Sequence, residues 1–150
     1  MKKGKRGQFY LIATIVIISL LVGVFVLSSY SKGKSQSRVY ELGNELKRES
    51  SKMLDYGATT GDYRWPSFTS NFSGYAGKDI NIIFLTGTLS SYEVYWYDNT
   101  NKQSFPYINI SDKVTFNVNG TNYDFKMRAG QNFYFVMYQY IEGEKYVITN

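Results

Sequence analysis

The apolar positions of this 150-residue chain follow three patterns in turn. Residues 9–30 form a run without charged side chains, residues 39–56 carry apolar side chains at helical spacing, and short apolar or alternating stretches follow. Such patterns predict a membrane-spanning helix, an amphipathic helix and strands, respectively. We therefore expect an α+β protein with a long N-terminal transmembrane and amphipathic helix, followed by an antiparallel β-sheet or small β-sandwich.

The first apolar run is long enough to cross a membrane. From Phe9 to Tyr30 there are 22 residues, which as a helix extend over about 33 Å, against about 30 Å for a hydrocarbon core. A cleaved secretory signal, with Val26 and Ser28 as small-residue cleavage positions, is the alternative. Such signals have an apolar stretch of only about 7–15 residues, so we expect the helix to be retained.

Three small residues interrupt the bulky Ile, Leu and Val side chains of this helix: Ala13, Ser19 and Gly23. Small residues let helices approach closely in a membrane, which makes these three candidates for helix packing. The alternative is that a single-pass anchor contains small residues by chance.

The flanking charges and the C-terminal half indicate the orientation. Four Lys or Arg residues precede the run, and three lie within residues 32–38 just after it. Positive charge favours the cytoplasmic side. The C-terminal part also contains three N-x-[ST] sequons, which are candidate glycosylation sites and favour an extracellular β-domain; their asparagines are Asn71, Asn109 and Asn119.

A polar stretch, residues 31–37, separates the apolar run from a second helical pattern and predicts a hinge or loosened turn around Gly33. Apolar side chains then recur at helical spacing, and Gly57 is a candidate helix end. These apolar residues are Val39, Leu42, Leu46, Met53 and Tyr56. We expect this stripe to pack on the β-domain of its own chain; packing in a filament or dimer is the alternative.

The rest of the chain predicts a loop and then strands. Residues 59–78 are rich in Gly, Ser, Thr and Asn and predict an irregular loop. Strands are expected over 80–86, 92–97, 113–118, 123–127, 132–141 and 145–149. Asn119-Gly120 predicts a two-residue hairpin turn, and a second hairpin is expected around Glu142-Gly143-Glu144.

The segment 132–141 is apolar on both of its strand faces. Phe133, Phe135 and Met137 point to one side, and Tyr134, Val136 and Tyr138 to the other. Strands covered on both sides have this composition. We expect a central strand between the N-terminal helix and a second sheet; a tyrosine-rich adhesive or subunit surface is the alternative.

Composition and charge exclude several functions. The chain has no Cys and no His, which rules out disulfides, thiol nucleophiles, Cys/His zinc sites and His-based relays. The formal net charge is +5, but the segment 39–150 carries ten basic and twelve acidic residues. Without a basic surplus outside the leader we expect no nucleic-acid partner.

No other residue pattern indicates catalysis or a cofactor. The carboxylates of Glu142 and Glu144 are a formal pair, yet a Glu-Gly-Glu hairpin indicates a solvated turn. The segment 98–101, Asp-Asn-Thr-Asn, carries oxygen ligands but lacks the Gly and the distal Glu of a calcium loop. The segment 74–78, which ends in Gly77-Lys78, lacks the spacing of a phosphate-binding loop. We expect no enzyme, no metal site and no cofactor.

The leader has a basic stretch, then Gly7 and Gln8, and then the apolar helix from Phe9. It resembles the class III signal peptide of archaeal type IV pilin-like proteins. The resemblance implies cleavage by a prepilin-type peptidase between Gly7 and Gln8, with the helix retained. Tyr10 and Ile12 stand where many members of that family carry Ser and Glu. An uncleaved anchor, whose basic cluster only sets orientation, is the alternative.

The resemblance further implies a helix that forms a filament core beneath outward-facing β-domains. The expected organisation is a basic leader (1–7), a transmembrane helix (8–30), a hinge and amphipathic helix (31–58) and an extracytoplasmic β-domain (59–150). The expected partners are membrane lipid, the processing peptidase and copies of the chain or related subunits. The second hypothesis is a monomeric membrane-anchored binding module that does not polymerise.

Overall fold

The computed structural model describes the backbone of residues 5–150 and the side chains of residues 14–23 and 38–150. The chain divides into two compact units, Met1–Ser37 and Arg38–Asn150. The elements in chain order are α1 (Lys5–Thr60), α2 (Trp65–Ala76), β1 (Asn81–Thr88), β2 (Ser91–Asp98), β3 (Asn101–Ser104), β4 (Ile108–Ile110), β5 (Lys113–Val118), β6 (Thr121–Lys126), β7 (Asn132–Ile141) and β8 (Glu144–Thr149).

Helix α1 runs through the predicted hinge and past the predicted end. The backbone of residues 31–37 is helical, and the boundary between the two compact units falls after Ser37, so the hinge stays a prediction. This stretch has no proline, and one glycine costs a helix only about 1 kcal/mol relative to alanine. The helix ends at Thr60 rather than Gly57, because Gly61 adopts φ 77° and its N–H donates to the Gly57 carbonyl at 2.8 Å.

The apolar stripe of α1 packs on the β-domain of its own chain, as predicted. Val39, Leu42 and Leu46 are buried in a cluster with the five-stranded sheet, and Met53 packs against that cluster. Tyr56 departs from the prediction, since its side chain is 48 % exposed.

Helix α2 replaces the irregular loop predicted for this region, which was wrong. Its buried side chains are Trp65, Thr69, Phe72 and Ala76, and their spacings of four, three and four residues form a helical stripe. Pro66 lies in the first turn, where the missing N–H is tolerated. The abundance of Gly, Ser, Thr and Asn hid a helix that is stabilised by packing rather than by propensity.

All strand pairs are antiparallel and form two sheets, one of five strands in the order β3-β2-β1-β7-β8 and one of three in the order β4-β5-β6. The α+β class with antiparallel sheets is confirmed. The predicted strands 113–118 and 132–141 match β5 and β7 at both ends. At the predicted Asn119-Gly120 turn the two φ angles are 53° and 84°, which is the type I′ conformation.

The unit Arg38–Asn150 has three layers. Helix residues and one face of the five-stranded sheet form the first core cluster, whereas the opposite face and the three-stranded sheet form the second. In β7, Phe133, Phe135 and Met137 belong to the first cluster and Val136 to the second. The prediction of a central strand covered on both faces is confirmed.

Candidate functional site

Helix α1 is apolar on every side where its N-terminal side chains are described. Residues 14–23 are all exposed, and every large apolar side chain from Ile15 to Val22 is at least 51 % exposed. Successive helix positions point about 100° apart, so these side chains cover the whole circumference. A helix that is apolar all round needs a non-aqueous surrounding, either lipid or protein.

In the part of the chain that the structure describes, no helix is both long enough and apolar enough to cross a membrane. The side chains of residues 9–13 and 24–30 lie outside the described residues. The transmembrane span over 9–30 stays a prediction.

The predicted helix-packing and processing residues are only partly described. The Ser19 hydroxyl donates to the Ile15 carbonyl at 2.9 Å, which satisfies it within its own helix. A Cβ atom at Gly23 would meet no atom within 4 Å, so this position is open to a neighbour. The side chains of Ala13, Gly7 and Gln8 lie outside the described residues.

The three sequons lie on three different elements and do not form one site. Asn71 is exposed on α2, Asn109 is exposed on the edge strand β4, and Asn119 is exposed at the β5–β6 turn. The Asn119 side-chain amide donates to the Tyr140 hydroxyl at 2.7 Å. The Ser73 hydroxyl of the first sequon is buried and has no hydrogen-bond partner among the described residues.

Strands β1 and β2 separate at one end, and a cleft lies there. Their register begins at Ile83 opposite Trp96, although β1 starts at Asn81 and β2 continues to Asp98. Beyond that register β1 pairs with β7 and β2 pairs with β3. The cleft has a volume of about 550 Å³ and is bounded by these strand ends and the C-terminal end of α2. Small-molecule sites have volumes of about 300–1,000 Å³.

Two segments that the sequence analysis weighed separately, and rejected as phosphate and calcium sites, contribute residues to this cleft. The Gly74–Lys78 segment spans the C-terminal end of α2, and the Asp98–Asn101 segment forms the β2–β3 turn. Asn99 at that turn has φ 56°, a left-handed conformation that asparagine tolerates, and its Nδ2 donates to Asp98 Oδ1 at 3.3 Å. The two segments lie at the same cleft only because of the order of the strands, so the sequence of neither segment alone could predict this.

The lining combines apolar and polar groups. Trp96 is half-buried, and Ile80 and Ile82 are buried. The polar side chains of Lys78, Asp98, Asn99 and Thr100 are exposed. Lys78 and Asp98 are the two charged residues among those that line the cleft, so their charges cancel. An aromatic and aliphatic wall beside a few polar groups is typical of a small-molecule site.

A buried hydroxyl network beside this region has a structural role. The Thr69 hydroxyl lies 3.2 Å from the Tyr95 hydroxyl, and Thr86 donates to Tyr95 at 3.3 Å. Burial raises the pKa of the Tyr95 phenol above its ordinary value. These contacts connect α2 to the five-stranded sheet.

The acidic segments considered from sequence form no metal cluster in the described structure. Across the described residues, no three His, Cys, Asp or Glu side chains come together in a way that would hold a metal ion. Glu142 occupies the β7–β8 turn with φ 54°. Glu144 accepts a hydrogen bond from the Tyr146 hydroxyl at 2.5 Å.

The chain was compared with known proteins in three ways. No family model, no curated protein and no solved structure matches it.

Proposed function

We propose that this chain is a single-pass membrane protein and a subunit of a cell-surface filament, with a structural or adhesive role like that of the archaeal type IV pilins its leader resembles. One observation carries the proposal: residues 15–22 of α1 expose large apolar side chains around the whole helix. Water is an unfavourable surrounding for such a surface. A lipid bilayer before assembly, and helices of other copies after it, would cover this surface.

The β-domain supports the proposal because it folds around its own core. The stripe of α1 from Val39 to Leu46 is buried against its own sheet, so the domain needs no neighbour to cover that stripe. The part of the helix that remains exposed is the part that the leader resemblance assigns to a filament core. Retention of the helix would follow from cleavage by a prepilin-type peptidase between Gly7 and Gln8.

The cleft between β1 and β2 favours a second candidate, a monomeric membrane-anchored binding module. Its volume of about 550 Å³ fits a small ligand. Such a module needs the apolar helix only as an anchor. The two candidates differ in whether the helix contacts other copies.

Substitution at Gly23 distinguishes the two candidates. A Cβ atom there would meet no described atom of its own chain within 4 Å, so a loss of assembly in a variant that still inserts would indicate contact with a neighbour. Helices in a membrane associate through close packing at small residues. Gly23→Leu should therefore reduce the fraction of protein in high-molecular-weight assemblies on sucrose gradients after mild detergent extraction.

Gly23→Ala is the matched control, since it keeps the position small and should assemble like the wild type. Membrane insertion should be intact in both variants, because Leu and Ala are accepted in a spanning helix. Wholly monomeric profiles for the wild type and both variants would favour the anchored binding module.

A further inference from the structure

We propose that the cleft between the ends of β1 and β2 binds a small neutral saccharide. This site goes beyond the filament proposal and holds for either a polymerised subunit or an anchored monomer. The proposal rests on the shape of the cleft, its aromatic and polar lining and the cancellation of its charges.

The separation of β1 and β2 supplies polar backbone along the cleft. Asn81 and Ile82 pair only with β7, and Tyr97 and Asp98 pair only with β3. Strands present hydrogen-bonding groups to both neighbours, so the sides that face the gap lack a ladder partner. Sugar hydroxyl groups both donate and accept hydrogen bonds, which suits an edge that offers both kinds of group.

Tyr97 supplies an aromatic side chain on the α2 side of the cleft. It is half-buried against the first core cluster, and its hydroxyl donates to the Pro66 carbonyl at 3.1 Å, so its position is fixed while part of it stays accessible. The face of an aromatic ring carries partial negative charge, and the C–H groups of a sugar ring carry partial positive charge. An aromatic ring beside hydroxyl-binding groups is therefore suited to a saccharide.

The β2–β3 turn supplies side-chain hydrogen-bonding groups held in place. The Asn99 amide donates to the Asp98 carboxylate at 3.3 Å, which restrains both side chains before a ligand arrives. The remaining Asp98 and Asn99 oxygens accept hydrogen bonds, and Thr100 adds a hydroxyl at the same turn. Restraint before binding lowers the entropic cost of association.

Ser73 adds a second observation on the opposite wall. It lines the cleft, and its buried hydroxyl has no hydrogen-bond partner in the described chain. A buried hydroxyl without a partner costs about 1–3 kcal/mol. A hydroxyl-rich ligand in the cleft would supply that partner after a small rotation of the side chain.

The charges select against ionic ligands. Lys78 and Asp98 together give the lining no net charge, so the cleft as a whole attracts neither anions nor cations by a surplus of one sign. A zwitterion such as an amino acid carries the same balance of charge, but it leaves the aromatic wall and the hydroxyl-binding groups without matching partners. Free glycine and inorganic phosphate are therefore titrated beside the sugars, as a zwitterionic and an anionic comparison.

Tryptophan fluorescence of the full chain measures the binding directly. The chain has two tryptophans, of which Trp96 lines the cleft and Trp65 is buried at 7 % exposure. The protein is kept in lauryldimethylamine oxide, because this detergent has no sugar headgroup. Maltose, cellobiose, lactose and diacetylchitobiose are titrated separately, and at least one should change the fluorescence with a Kd of about 1 mM or lower.

Asn99→Gly and Asp98→Asn locate the site. Glycine adopts the same positive φ at the turn, so Asn99→Gly should fold while weakening binding about 2- to 10-fold through loss of one hydrogen-bonding side chain. Asp98→Asn should weaken binding by about 10-fold or more, because hydrogen bonds to a carboxylate are stronger. Asn119→Gly is the matched control: it has the same turn position in another hairpin, with φ 53°, and should bind like the wild type.

The proposal is overturned if none of the four disaccharides changes the fluorescence. It is also overturned if Asn99→Gly and Asp98→Asn, shown by circular dichroism to be folded, bind as tightly as the wild type, or if only glycine or phosphate binds. None of these readouts depends on polymerisation, so the result is independent of the filament proposal.

Discussion

Gly43 of α1 lies directly against Ile148 of β8. A Cβ atom at position 43 would be 2.4 Å from Ile148 Cγ2, closer than two carbon atoms can approach. Glycine therefore allows the helix to lie on this strand at the edge of the five-stranded sheet. The contact helps to explain why the stripe from Val39 to Leu46 reaches the core of its own domain.

Gly43→Ala tests this close approach. Alanine is a better helix former than glycine by about 1 kcal/mol, so an open helix position would gain stability. Here the added methyl must displace a β-branched side chain, and overpacking of this kind costs about 1–3 kcal/mol. We expect a net loss of unfolding free energy, measured by urea denaturation followed by circular dichroism.

Ile148→Ala provides the control for that substitution, because it removes the carbons that the new methyl would meet. In the Ile148→Ala background, Gly43→Ala should be neutral or stabilising. The same loss in both backgrounds would show that the two residues are not coupled.

Gly120→Val tests the β5–β6 turn. Gly120 has φ 84°, and a Cβ there would meet no atom within 4 Å, so the only penalty is backbone conformation. We expect a loss of about 1–3 kcal/mol of unfolding free energy. Gly120→Asn should cost much less, because asparagine tolerates positive φ. Equal melting curves for the two variants would contradict the turn conformation.

Asn132→Asp tests the buried amide that organises the segment before β7. Asn132 is 4 % exposed, and its Nδ2 donates to the carbonyls of Arg128, Gly130 and Gly87 at 2.9, 3.0 and 3.3 Å. An ionised aspartate has no N–H or O–H group to donate to these carbonyl oxygens, and its negative charge would lie next to them. We expect a loss of more than about 3 kcal/mol at pH 7, measured by thermal melting.

The unfolding free energy lost in Asn132→Asp should be smaller at low pH. Burial against carbonyl oxygens raises the pKa of the introduced aspartate above its unfolded value of about 3.9. The pH-dependent part of the destabilisation is therefore absent below that value, grows between the unfolded and the folded pKa, and is constant above the folded pKa. Asn117→Asp is the control: its side chain is exposed and donates to Asn122, and it should change stability by less than about 1 kcal/mol. A pH-independent loss in Asn132→Asp would contradict the account.

Tyr95→Phe tests the hydroxyl network between α2 and the sheet. Loss of the hydrogen bonds to Thr69 and Thr86 should cost about 1–2 kcal/mol at pH 7. Burial raises the pKa of Tyr95 above 10.0 in the folded state. The contribution of Tyr95 to the unfolding free energy is therefore complete below pH 10.0 and decreases as pH rises above it, because the phenol then ionises more readily in the unfolded chain. The stability gap between wild type and variant should therefore narrow toward about pH 11. Urea titrations at both pH values check this, and a constant gap would contradict it.

The sequence predicted the elements whose pattern is strong. The alternation in β5 and the two apolar faces of β7 predicted the first and last residue of both strands correctly. Asn119-Gly120 predicted the turn between β5 and β6. These signals are local and need no knowledge of the tertiary structure. The burial of Val39, Leu42 and Leu46 also followed from spacing alone.

Other features depend on tertiary contacts and could not be predicted in this way. Strand β3 is entirely exposed and has no apolar residue, and β4 has only three residues, too few for its Ile-Asn-Ile alternation to indicate a strand. The cleft lies where β1 pairs with β7 but no longer with β2, and β2 pairs with β3 but no longer with β1, so its prediction requires the strand order. Helix α2 was missed although its stripe was present, because its composition indicated a loop.

The central claim is that this chain is processed before Gln8 and built into a surface filament. The most direct test is mass spectrometry of fibres sheared from cells that produce the chain, analysed for its peptides and its N-terminus. We expect the chain to be present in the fibres and to begin at Gln8. Fibres without the chain, or a chain found only in the membrane with residues 1–7 intact, would contradict the proposal.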